Sequence, residues 1–295
     1  MEEKLYIGSH VSMNAPEYYL GSVKEALSYD STTFMFYTGA PQNSHRVPLE
    51  QCKIEQGRKL LQEAGIDESK IIVHAPYIVN LANFTKVDLY EMSMKIILNE
   101  VKRTAAFGAK TLVLHPGAHV GQGSKAGIQA LCKALDFIFM NDNSDVKIAI
   151  ETMAGKRSEI GIHFNEIKNI IDSCKYSNRL GVCLDTCHIN DAGYDVHDVD
   201  NVLKEFDSII GLDRLLVIHI NDSKNPISAH KDRHENLGYG YIGFETIYKI
   251  VHHPLLTNVP KILETPYINE KPPYALEIKM LKSGQYIDNW REDNF

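Results

Sequence analysis

Residues 180–195 read LGVCLDTCHINDAGYD. Five mostly apolar residues, Leu180 to Leu184, lead without alternation into Asp185 and His188, spaced Asp-x-x-His. A run that is apolar at successive positions suits a strand covered on both faces, as in a parallel sheet, rather than one with a wet face. The two polar residues then fall where the strand runs out. Cys183 and Cys187 flank Asp185, but Cys-x-x-x-Cys lacks the second pair that a structural thiolate zinc site needs. Cys183 is therefore assigned to strand packing, and Asp185 and His188 carry the information.

The same design recurs along the chain. Short apolar, β-branched runs begin at Leu5 (LYIG), Thr32 (TTFMFY), Lys70 (KIIVHAP), Thr111 (TLVLHPG), Lys147 (KIAIET), Leu215 (LLVIHIND) and Lys261 (KILETP). Between them lie stretches with helical periodicity, such as SMKIILNEVKRTAAFG, closing on Gly108, and IGIHFNEIKNIIDSCK. Eight uninterrupted βα units predict a (β/α)8 TIM barrel, with residues 1–295 forming one domain. An open doubly wound sheet is the alternative. No G-x-G-x-x-G turn follows the first strand, and polar residues end nearly every strand, which favours the barrel. In a barrel those ends converge on one face, the usual place for an active site.

Composition narrows the class. The 295 residues are 44% hydrophobic and 23% charged, ordinary values for a globular protein. MEEKLYIGSH has no basic segment followed by an apolar one, and no apolar run approaches the roughly 18 residues of a membrane span. Five scattered cysteines suit a reducing compartment, so a soluble, cytoplasmic monomer is expected. A net charge of -7 argues against a basic nucleic-acid coat protein, though not against an enzyme that grips nucleic acid locally. Thirteen histidines ask for an explanation.

Five of them have one at the strand ends and in one loop beside them. Strand three ends in His74, strand four in His115, strand five in Glu151, strand six in Asp185 and His188, strand seven in His219 and strand eight in Glu264. The loop after strand seven, KDRHENLG, adds Asp232 and His234. Any one alone reads as a solvated or hydrogen-bonded strand terminus, or a helix cap. Together, several carboxylates in one barrel mouth cost several kcal/mol per uncompensated charge, and a cation is the natural compensator. The imidazole–carboxylate mixture suits zinc, admits manganese or iron, and disfavours calcium and magnesium. Nine ligands exceed one tetrahedral site and suffice for two or three ions. Two chemistries use such clusters: phosphodiester hydrolysis, with cations about 3.5–4 Å apart, and sugar isomerisation. Isomerases often carry a lysine just after the strand-five glutamate, where this chain reads Glu151-Thr152-Met153.

In order along nearly the whole chain, GSHVS, HAPYIVNLAN, LHPGAH, IETMAGK, LDTCHINDAGYD, HINDSK, DRHENLGYGYIG and LETP resemble the endonuclease IV family of apurinic/apyrimidinic (AP) endonucleases. The resemblance implies a trinuclear zinc barrel of DNA base-excision repair, with manganese possible at one or more positions. It implies that His74 and His115 bind one ion and that Glu151 bridges it to a second. Asp185, His219 and Glu264 would complete the second site, and His188, Asp232 and His234 would hold the third. The implied activity is hydrolysis 5′ to an abasic site in duplex DNA, leaving a 3′-hydroxyl and a 5′-deoxyribose phosphate, together with trimming of blocked 3′ ends. Glu151 and Glu264 would be the catalytic carboxylates that orient the attacking hydroxide.

The resemblance also assigns Tyr77 and Asn80 to DNA binding near the lesion, and Arg46, in YTGAPQNSHRVP, to a wedge or phosphate contact. His10 matches a non-ligand position and is read as structural. Lys125, Lys156, Arg157, Lys224, Lys231 and Arg233 offer phosphate contacts, set against Asp191 and Asp222 on the same face.

Overall fold

Each of the eight apolar runs contributes one strand to a single parallel sheet in the computed structural model, which describes residues 5–295. The strands are β1 (Ile7–Ser9), β2 (Met35–Phe36), β3 (Ile72–His74), β4 (Thr111–Leu114), β5 (Lys147–Glu151), β6 (Leu180–Asp185), β7 (Leu215–Ile220) and β8 (Lys261–Leu263). Their spatial order is β1-β8-β7-β6-β5-β4-β3-β2, and the seam closes through a parallel bridge between His10 and Met35. Val11 N–H adds a bond to Met35 carbonyl at 2.8 Å. The expected TIM barrel is the observed fold.

Most strands are shorter than the runs that announce them. TTFMFY pairs only through Met35 and Phe36, and His115 and Glu264 lie one residue past their strands. The ladder stops where the chain must turn its polar side chains over the mouth of the barrel.

Two apolar layers hold the barrel. Inside it, Met35, Ile72, Val113, Ala149, Cys183, Val217 and Ile262 supply one buried side chain from each of β2 to β8. Outside it, the other strand faces pack against amphipathic helices, including α1 (Tyr18–Ser28), α2 (Ile54–Glu63), α3 (Val87–Ala106), α4 (Ser124–Met140) and α5 (Phe164–Ser173). Burial on both faces is what the unbroken apolar runs encode. All five cysteines are free and buried. Among the described residues, no helix is long and apolar enough to cross a membrane.

The opening stretch shows how local structure builds the site. β6 passes directly into α6 (Thr186–Ala192), with Asp185 as its N-cap. Asp185 Oδ1 accepts from the backbone N–H of His188 at 2.8 Å, satisfying one of the helix's free amides. Gly193, at φ 111°, ends the helix in a left-handed conformation open to glycine. The Asp-x-x-His spacing is thus a capping geometry that sets both side chains on one rim.

Candidate metal centre

Glu151, at the end of β5 and almost fully buried, is the hub of the mouth. Its Oε2 lies 3.2 Å from His74 Nε2 and 3.0 Å from His115 Nε2; its Oε1 lies 3.1 Å from His219 Nδ1. On the other side of His219 Nδ1, Glu264 Oε2 stands at 3.0 Å and Asp185 Oδ2 at 3.8 Å. Next to these, His188 Nε2 is 3.1 Å from Asp232 Oδ1, while His234 Nε2 is 3.6 Å from Asp185 Oδ2 and 3.8 Å from Asp232 Oδ1.

All nine sequence-derived residues therefore converge. Their ligand atoms fall into adjoining sets of His74, His115 and Glu151; Glu151, Asp185, His219 and Glu264; and Asp185, His188 and His234, each within 4.8 Å. Asp232 joins the last set through its contacts with His188 and His234. Asp185 stands in two sets and Glu151 in two, as bridging carboxylates would.

The far nitrogens of three imidazoles are fixed by carbonyls. His74 Nδ1 donates to Ala75 O at 2.8 Å, His188 Nδ1 to Thr152 O at 2.7 Å and His234 Nδ1 to Glu264 O at 3.2 Å. That leaves each Nε2 facing the cluster in the tautomer a cation requires. His234 Nε2 is buried with no hydrogen-bond partner, an orphan that a metal ion would satisfy. The donor set and this orphan fit a metal centre.

Charge compensation is visible in the proton affinities. Burial alone lowers those of His188 and His219, yet neighbouring carboxylates outweigh it and raise both well above 6.5: Asp185, Asp232 and Glu151 around His188, and Glu264 and Glu151 around His219. Burial raises Glu151, Glu264 and Asp232, but facing imidazoles hold all three below the ordinary carboxylate range. Cys183 lies beneath His219, and burial pushes its thiol up to about 12, so it packs as a neutral group.

Several positioning residues carry no signal in the sequence, because they are neutral or share the chemistry of rim charges. Asn221 Nδ2 donates to Asp185 Oδ2 at 2.8 Å, and its Oδ1 accepts from the Glu264 N–H at 3.0 Å. One amide thus ties two carboxylate-bearing strands. Thr152 Oγ1 accepts from the Asp185 N–H. Asp191 is fully buried and receives the N–H groups of Lys231 and Asp232 at 3.2 and 3.0 Å, which seats the Asp232 loop. Asp222 is buried likewise and accepts backbone amides from Gly238, Gly240, Ile242 and Gly243. Neither offsets the basic rim. Lys125, Arg157, Lys224, Lys231 and Arg233 are exposed or half-exposed there, while Lys156 is half-buried and reaches Asp232 Oδ2 at 3.2 Å. His10 lies half-buried against the cluster, edge-on to Tyr37, as a structural residue would.

The three expected substrate contacts part company. Tyr77 is 56% exposed at the rim, free to meet a partner. Asn80 is spent internally: its Nδ2 donates to Ala118 O at 2.9 Å and its Oδ1 accepts from Ala118 and Ala82 N–H, latching two rim loops together. Arg46 points inward. Its Nε meets Glu100 Oε1 at 2.5 Å, its Nη1 meets the carbonyls of Asn43 and His45, and its side chain is 5% exposed. The expectation of a wedge or phosphate contact is corrected: this guanidinium holds the 38–48 loop onto α3. Replacing Arg46 with Met should strand the Glu100 carboxylate and lower stability by about 3–5 kcal/mol in urea unfolding. A loss under about 1 kcal/mol, the scale of an exposed pair, would show that the contact is dispensable.

A parallel barrel with imidazoles and carboxylates at its C-terminal rim defines a xylose isomerase-like TIM barrel, and the family model of that description matches residues 23–284. A probable endonuclease 4 of Bacillus thuringiensis (strain Al Hakam) is 56% identical over 295 residues, covering 98% of each chain. The crystal structure of endonuclease IV from Thermus thermophilus superposes with a TM-score of 0.82 at 28% identity, covering 94% of this chain and 98% of that one. A D-tagatose 3-epimerase-like protein shares the fold alone, at 18% identity and a TM-score of 0.67 over 94% of this chain and 96% of its own. The chain belongs to the endonuclease IV family, a family of nucleases, and is a hydrolase.

Proposed function

We propose that this chain is a base-excision-repair AP endonuclease. It hydrolyses the phosphodiester 5′ to an abasic site in duplex DNA, leaves a 3′-hydroxyl and a 5′-deoxyribose phosphate, and trims blocked 3′ ends. One observation carries the reading: eight imidazoles and carboxylates meet in adjoining sets sharing Glu151 and Asp185, and Asp232 joins them through His188 and His234. His74 and His115 would hold one zinc ion with Glu151. Glu151, Asp185, His219 and Glu264 would hold a second, and His188, Asp232 and His234 a third; the nitrogen-rich donors also accept manganese. Ions bound there supply Lewis acidity, bringing water's pKa toward neutrality and neutralising phosphate charge.

The chain's own groups do the rest. Glu151 and Glu264, facing His219 Nδ1 from two sides at 3.1 and 3.0 Å, aim two carboxylates at one point where an attacking hydroxide can be oriented. Asn221 keeps the Glu264 strand end in register with Asp185. Tyr77 presents an aromatic face beside the mouth, suited to replace stacking lost at an abasic nucleotide, where no base must be unpaired. The exposed basic rim meets phosphates without needing a basic protein overall. Five buried free thiols agree with a cytoplasmic setting.

The direct test is duplex DNA carrying one tetrahydrofuran residue, incubated with metal-replete protein. Incision on its 5′ side supports the reading; no incision together with turnover of a ketose or aldose overturns it. Tyr77→Ala should raise KM for the abasic duplex about tenfold, the scale of one lost stacking contact. Its effect on binding to intact duplex should be small, and equal losses on both would remove Tyr77 from lesion recognition.

A further inference from the structure

Val120 sits in a conformation its side chain disfavours. It lies in the loop after β4, has φ 45°, and is 52% exposed. The left-handed region suits Gly and Asn; a branched Cβ makes it costly, and among the non-glycine residues described there Val120 is the β-branched one. The side chain gains little within the protein to offset that cost, because half of it faces solvent. Such strain persists where the surroundings over-determine it, and here they do. Asn80 clasps both backbone groups of Ala118, and His119 N–H bonds Ser158 O at 2.9 Å. Gln122 N–H and Gly123 N–H close the turn onto His119, through its carbonyl and its Nδ1, each at 3.0 Å. The loop is thus bolted on both sides of Val120, with one apolar side chain held outward.

The Asn80 latch sets the direction. It joins the Val120 loop to the loop bearing Tyr77 and Ile78, which are 56% and 43% exposed. Three exposed apolar side chains therefore ride on two loops fastened together above the metal centre. The exposed lysines and arginines of the rim would meet phosphates; an apolar edge among them suits the sugar and base edges of an opened groove.

We propose that Val120 is a substrate-contacting residue that, with Tyr77 and Ile78, forms an apolar edge pressed into the duplex at the lesion. The inference rests on the AP endonuclease reading above. Two substitutions test it on the full, metal-replete chain. Val120→Asn relieves the backbone and deletes the apolar contact; Val120→Leu eases the branching and keeps it. Val120→Asn should raise KM for tetrahydrofuran duplex about tenfold, with kcat within about twofold and Tm unchanged or higher by ~2 °C. Val120→Leu should keep the wild-type KM with no fall in Tm. The proposal is overturned if Val120→Asn leaves KM alone, if Val120→Leu raises it equally, or if KM rises only as Tm falls. Failure of the wild-type chain to incise overturns the endonuclease reading and this one with it. Normal wild-type incision with indifferent variants overturns the contact alone.

Discussion

Glu151→Gln should reduce incision of abasic duplex by roughly 1,000-fold or more at saturating DNA, about 4 kcal/mol of lost transition-state stabilisation. No other carboxylate among the described residues of the mouth faces so many imidazoles: His74, His115, His188 and His219 all stand within 3.0 to 3.5 Å of its two oxygens. An amide has the same shape but no charge, and its NH2 turns a donor toward nitrogens that need an acceptor or a shared cation. Two ligand sets lose their common member at once, so bound metal should fall by one ion or more per chain on elemental analysis. The substitution should leave the barrel folded, because Glu151 caps the end of β5 and its strand bonding runs through the backbone. Near-native incision with full metal content would remove Glu151 from the bridging role.

How much of this could be read from the sequence divides along physical lines. The barrel was legible because strands buried on both faces must be apolar at every position, and eight such runs at βα spacing leave few arrangements. Seven of the nine candidate ligands were legible because they stand where a run ends, and a barrel sends all such ends to one rim; Asp232 and His234 come from the loop after the seventh run. What eluded the reading depends on direction rather than type. Arg46 has the chemistry of a phosphate contact, but nothing in YTGAPQNSHRVP says that its guanidinium turns toward Glu100, far along the chain in α3. Asp191 and Asp222 have the chemistry of rim charges, yet loop amides draw both inside. Asn221 is neutral and so gave no signal, although it fixes two ligand strands at once. Asn80 fell in a substrate-contact motif and serves as a latch, which is how Val120 comes to be held outward.

Removing the metal ions should destabilise the protein much more at pH 8 than at pH 6. Without ions, the carboxylates of the mouth rely on protonated imidazoles. His115, His188 and His219 all have proton affinities raised above the ordinary 6.5, because facing acidic groups outweigh the effect of burial. A raised folded value means that their stabilisation is complete below about pH 6.5 and is lost as pH climbs through the raised values. Glu151, Glu264 and Asp232 are lowered, so their contribution is present above about pH 4.5 and is lost only as pH falls through their folded values. The metal-free centre is thus best matched between roughly pH 4.5 and 6.5 and weakens on the alkaline side. Metal ions reverse the dependence: they need neutral imidazoles, displace protons on binding, and supply the positive charge that the histidines give up as pH rises. Thermal unfolding with and without chelator should give a gap of roughly 10 °C at pH 8 and less than half of that at pH 6. Titration of zinc into stripped protein should release protons, more of them at pH 6 than at pH 8, as shown by heats that differ between buffers of unlike ionisation enthalpy. A gap that is equal at the two pH values, with no proton release, would mean that these imidazoles do not hand their role to a metal, and the nine-residue cluster would need another explanation.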